Sequence, residues 1–81
     1  MELKENGIYS LPDGREFVVR AARQGGFLLH DLRLGVASAP LYLVDRSGQF
    51  LSWGKRTSWS IDDLLDTGRS SLPVIQRLKM L

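Results

Sequence analysis

The chain carries one histidine, nine acids and no cysteine, so few chemistries are open to it. Nucleophilic catalysis needs a serine or threonine, a base, and an acid that orients the base. His30 is the one imidazole, and Asp31 follows it directly. Neighbours on a strand point to opposite faces, so Asp31 is poorly placed to orient His30 in extended backbone. His30 therefore reads as a partly exposed strand histidine. Asp62, Asp63 and Asp66 form the one dense acid cluster. Carboxylates in the first turn of a helix are favoured by its dipole, which accounts for them without a cation. "DRSGQ" (45–49) lacks the further oxygens and closing glutamate of an EF-hand loop. "PDG" and "RQGGF" have neither the Walker nor the dinucleotide spacing. "TGRSS" (67–71) is turn chemistry rather than an anion site. The sequence thus offers no catalytic, cofactor-binding or metal-binding residue, and the expectation is a protein that is not an enzyme and takes no cofactor. An enzyme would need its site completed by another chain.

Binding is the remaining chemistry. "FLSWGKRTSWS" (50–60) places Trp53 and Trp59 six residues apart, with Lys55 and Arg56 between them. Trp59 precedes Ser60, a good helix N-cap, and so occupies the position where an apolar residue staples against Leu64. That assigns Trp59 to the core. Trp53 is followed by Gly54 and a basic turn, and an aromatic beside cations suits a peptide or nucleic-acid contact. The candidate partner-binding residues are Tyr9, Trp53, Lys55 and Arg56.

The cations do not concentrate along the sequence. Eleven Lys and Arg against nine acids leave a net charge of +2, and only Lys55 and Arg56 are adjacent. A dedicated nucleic-acid binder gathers its charge on one face. The expected partner is a protein or peptide, or a second copy of the chain. The alternative is weak binding of single-stranded nucleic acid through the Trp/Lys/Arg patch. No apolar run approaches the ~20 residues of a membrane span, and "MELKENGIYS" has no apolar segment of a signal peptide. With no cysteine to cross-link, a reducing cytoplasm is the expected compartment.

These residues must be positioned by a small fold. The length of 81 residues suits a single domain, 1–81. "LPDG" (11–14), "RQGG" (23–26) and "DRSG" (45–48) are tight turns, with Pro12 setting φ and the glycines taking left-handed backbone. Between them lie "GIYSL", "REFVVRA", "GFLLHDL", "LYLVD" and "QFLSW", short runs rich in β-branched and aromatic residues, which read as strands. Two hairpins, 7–23 and 41–53, joined through the middle strand make an antiparallel meander. "RLGVASAP" (33–40) is a loop. Ser60 with Asp63 approaches a capping box, and Ile61, Leu64 and Leu65 share one helical face, stopped at Gly68. Val74, Ile75, Leu78 and Leu81 recur at helical spacing behind Ser71 and Pro73, with a strand at 73–76 as the alternative.

Alternation assigns the strand faces. Phe17, Val19 and Ala21 share one face and Glu16, Val18 and Arg20 the other. Phe27 and Leu29 oppose Leu28, His30 and Leu32, and "LYLV" is apolar on both sides. A small sheet with two apolar faces must cover both, by curling, by a helix, or by pairing with another copy.

"GIYSLPDGREFVV", "FLLHD" and "YLVDRSGQFLSWG", followed by a short helical element, resemble a small bacterial SH3-like barrel module over roughly residues 5–68. That resemblance implies a mainly β fold, a five-stranded antiparallel SH3-like barrel or meander (about 5–59) with a helical turn (61–67), to which the spacing of the tail adds a C-terminal helix (about 72–81). The clustered tyrosines with which eukaryotic SH3 domains grip polyproline are absent, so the resemblance implies a fold and not that ligand.

Overall fold

A computed structural model describes residues 2–71. The chain forms seven antiparallel strands in one open sheet: β1 (Gly7–Ser10), β2 (Glu16–Ala21), β3 (Phe27–Asp31), β4 (Tyr42–Val44), β5 (Gln49–Ser52), β6 (Lys55–Ser60) and β7 (Leu65–Ser70). The order across the sheet is β6-β5-β4-β3-β2-β1-β7. Six strands are therefore a continuous meander, and β7 returns to the free side of β1.

The turns form where the sequence places them. Gly14 and Gly48 both have positive φ, and the amide of Gly48 donates to the carbonyl of Asp45 at 3.0 Å. Asp45 also accepts from the amides of Ser47 and Gln49 through Oδ1, so its side chain braces the turn. The segment between β3 and β4 is a loop.

Most of the core lies on one face, while Ile8 and Val18 are buried with His30 on the other. Tyr9 pairs with Phe17, Val19 with Leu29 and Leu29 with Tyr42, while Phe27, Val44 and Phe50 complete a third row. Residues directly opposite share a face and pack against each other. Leu3, Leu11 and Leu64 close the same cluster, with Trp59 and Ile61 against its side. Arg15 covers one margin: its guanidinium lies over the rings of Phe17 and Tyr42 and donates to the Tyr42 hydroxyl at 3.0 Å.

The expected five-stranded barrel is corrected to a seven-stranded open sheet. β6 and β7, "KRTSWS" and "LDTGRS", are the two additional strands. They are the edges, and each meets its neighbour with a shift in register. An edge strand has little apolar surface to bury, so it lacks the alternation that reveals a strand in sequence. The expected helical turn at 61–67 is also corrected. Only Ile61–Asp63 is helical, as one 3-10 turn, and Leu65 already begins β7. The expected C-terminal helix at about 72–81 lies outside the described residues.

That single turn dictates the shape of the sheet. Seven flat strands would put β6 and β7 six spacings apart, about 29 Å. Four residues separate them in the chain, a reach of about 19 Å across five peptide units. The sheet must therefore curl, although β6 and β7 do not pair. The capping box that starts the turn is complete. The Ser60 hydroxyl accepts from Asp62 N, and the Asp63 carboxylate accepts the Ser60 amide at 2.9 Å. Ile61 then donates to the carbonyl of Gly48 at 2.8 Å, which docks the turn onto the β4–β5 hairpin.

Candidate partner-binding surface

The catalytic candidates separate in space. His30 is 2% exposed rather than partly exposed. Its Nδ1 lies 3.0 Å from the carbonyl oxygen of Ser38, and its Nε2 is buried without a partner. Burial holds its pKa below the ordinary imidazole value; the Ser38 bond opposes this, and the charge of Arg20 adds to it. Asp31 points to the other face, opposite Phe17, and accepts the amide of Arg33. Among the described residues no hydroxyl, imidazole and carboxylate line up. Asp63 is occupied in its cap, and Asp66 accepts the amide of Gly68. Among the described residues no three metal-ligating side chains come together.

The four candidate binding residues divide as well. Tyr9 is 1% exposed, a core residue whose hydroxyl accepts the amide of Lys4. It cannot contact a partner with Trp53, and that assignment is corrected. Its place opposite Phe17 puts it on the inner face, which the sequence around it did not reveal. Trp53, Lys55 and Arg56 are all exposed.

Trp53 is the unusual residue. It is 98% exposed and has φ +54, with Gly54 following at +77. Two consecutive positive φ values joining β5 to β6 fit a two-residue type I′ turn, which favours Asn, Asp or Gly at its first position. Left-handed backbone costs an ordinary residue roughly 1–2 kcal/mol. Here the fold holds a tryptophan in that conformation and leaves its ring in water.

Trp53 does not stand alone. Arg20 pairs with Leu28, Leu28 with Leu43, Leu43 with Leu51, and Leu51 with Arg56. This row crosses β2 to β6 on the face opposite the core: three leucines with an arginine at each end. Leu43, in the middle, is 37% exposed. Two hollows share it as a wall. One, of about 300 Å³, is lined by Ala39, Pro40, Leu41, Leu51 and Trp53. The other, of about 420 Å³, is lined by Ala22, Arg23, Gln24, Gly25 and Leu28. Neither is lined by an acid. The ion pairs of the described residues are Arg15–Asp13, Arg33–Asp31 and Arg69–Glu16. Arg20, Arg23, Lys55 and Arg56 are in none of them.

No known family model matches the chain, and no curated protein or solved structure matches it either. The surface must therefore be read from its own geometry.

Sequence reasoning missed Arg20, Leu28, Leu41, Leu43 and Leu51 as surface residues. One signal was present. Alternation put Leu28 on the face away from Phe27 and Leu29, and it left "LYLV" apolar on both sides. What it lacked was register, which aligns Leu28, Leu43 and Leu51 into one row. The part of the loop that borders the row is tied at two points: Leu41 donates to the carbonyl of Leu29 at 2.8 Å, and the carbonyl of Ser38 faces His30 Nδ1. No helix among the described residues is long and apolar enough to cross a membrane.

Proposed function

We propose that this chain is a non-enzymatic β module that binds a segment of a protein partner on the outer face of its sheet, with Trp53 as the anchor. The observation that carries this reading is the exposed indole at φ +54. A residue held in sparsely populated backbone and offered to solvent marks a place where function outweighs local stability. Tryptophan is also among the residues that dominate binding energy at protein interfaces.

The surroundings suit that role. An apolar strip rimmed by cations has the anatomy of an interface, an apolar centre and a polar rim. A nucleic-acid platform would stack successive bases on several exposed aromatics. Among the described residues Trp53 is the one exposed large aromatic, so a protein segment is favoured. The element order, a meander, one 3-10 turn and a last strand returned to β1, supports relating the module to SH3-like folds. The lack of cysteine suits a cytoplasmic setting.

A peptide-display selection tests the reading, with the full chain as bait and Trp53→Asn as counter-bait. Peptides that bind the first and not the second support it. A selection that yields none contradicts it. Sedimentation equilibrium on the same protein separates the remaining occupant, since a dimer would mean that a second copy covers the face.

A further inference from the structure

We infer that the segment bound on this face is acidic at both ends and apolar between them, a deepening that rests on the binding role proposed above. The inference comes from the row Arg20–Leu28–Leu43–Leu51–Arg56. Side chains directly opposite on adjacent antiparallel strands stand on one face. The two guanidinium groups therefore bracket three leucines on one surface.

Their charges are not consumed within the fold. Arg20 and Arg56 form no ion pair with an acid among the described residues. Arg56 lends its charge to holding Asp45 below the ordinary carboxylate range, behind the Ser47 hydroxyl and the Gln49 amide in effect. It does so without an ion-pair contact. Arg23 lines the hollow at the Arg20 end, and Lys55 pairs with Ser52 beside the Trp53 turn. The Arg20 end of the strip thus carries two cations and the Arg56 end one, since Lys55 points to the opposite face of β6 from its neighbour Arg56; the middle carries none.

A ligand with acids throughout would lose solvation over the leucines, because a carboxylate buried against apolar surface without a partner is penalised heavily. A ligand with no acids would leave the arginines unmatched and gain nothing from their steering. The matching ligand places carboxylates at both ends. Four strand spacings separate the arginines, about 19 Å along the sheet. That distance corresponds to about six residues of extended chain, or about thirteen of helix. The spacing of the acids is therefore a geometric requirement. It also disfavours a second copy docked strip along strip, since that arrangement would bring cations together at both ends.

The experiment uses the full chain and peptides of about sixteen residues, long enough to span the row in either conformation, taken from a random display library. The expected peptides carry Asp or Glu on both sides of an apolar centre. Charge reversal at Arg20→Glu or Arg56→Glu is expected to weaken each by about fivefold, the scale of an exposed ion pair lost and reversed. Replacing the acids at one end of the peptide by lysine should restore binding to only one of the two reversed variants. Arg20→Gln and Arg56→Gln, with thermal melts alongside, separate charge from folding. Selected peptides that need Trp53 but are neutral or basic would overturn the inference and leave the binding role intact. Peptides indifferent to Trp53 would remove both. An oligothymidylate that binds in place of the peptides, with the same dependence on Arg20 and Arg56, would also overturn it.

Discussion

His30 ties the loop that borders the leucine strip: its Nδ1 lies 3.0 Å from the carbonyl oxygen of Ser38, eight residues away. The contact fixes the tautomer. Nδ1 must carry the proton to donate to a carbonyl, so Nε2, buried and unpartnered, carries none. A second proton would put charge in a site that burial and the nearby Arg20 both disfavour.

That sets the pH dependence. The folded pKa lies below the unfolded value of about 6.5. As pH falls through that value, the unfolded chain takes up a proton that the folded chain refuses, so stability falls with pH in that window. Above it the contribution is fully present. Asp13 is held low by the Arg15 amide, Asp31 by the Arg33 amide and Asp45 by the Ser47 hydroxyl. Their losses begin only near the carboxylate range, about pH 4. Urea unfolding at a series of pH values should show two separate declines, and His30→Gln should flatten the upper one. An upper decline unchanged in that variant would refute the assignment.

Trp53 gives a prediction of opposite sign for stability and binding. Asn tolerates left-handed backbone and suits the first position of a type I′ turn. Trp53→Asn should therefore stabilise the fold by about 1 kcal/mol, which raises the melting temperature by roughly 4–8 °C in a domain of this size. The same change should abolish peptide binding. A variant that melts lower than the parent would mean that the indole is stabilising after all.

The glycines divide by what surrounds them. Gly26 has φ +80, and a Cβ there would run into the backbone carbonyl of Val44. Gly14 has φ +92 but nothing near it. Gly14→Ala should cost about 1 kcal/mol from backbone strain alone. Gly26→Ala should cost distinctly more, because backbone must move. Equal losses in thermal melts would contradict the packing of β3 against β4 at that point.

The 3-10 turn joins the two edges of the sheet through a reciprocal cap between Ser60 and Asp63. Asp63→Ala should lose about 1 kcal/mol, within the range for N-cap contacts. Ser60→Ala should lose a similar amount, and the double variant less than the sum, since the two bonds support one geometry. Full additivity in denaturant unfolding would show that the two act independently.

The strands that face the core were legible in the sequence. "EFVVRA" and "FLLHD" carry β-branched and aromatic residues between glycine turns, and β1 to β5 fall where those runs lie. The cap at Ser60 and Asp63 was legible too, because it depends on residues three apart. Edge strands were not. "KRTSWS" reads as a basic turn, and "LDTGRS" as the end of a helix stopped at Gly68, yet Gly68 keeps its positive φ within β7. Tyr9 was misplaced for a related reason. Which face of a short strand turns inward depends on its partner, and β1 is fixed by pairing with β2. The proposed binding surface was half legible. Trp53, Lys55 and Arg56 are local in sequence, but Arg20, Leu28, Leu43 and Leu51 join them only through register across five strands.

In the binding role proposed above, Trp53 is an exposed anchor that a partner covers. The direct measurement is the fluorescence of Trp59→Phe protein, in which Trp53 is the only indole, free and with a selected peptide. The free protein should emit like a tryptophan in water and be quenched readily by acrylamide. The peptide should shift that emission to the blue and shield it. Blue, shielded emission in the free monomer, or emission unchanged when the peptide binds, would contradict the account.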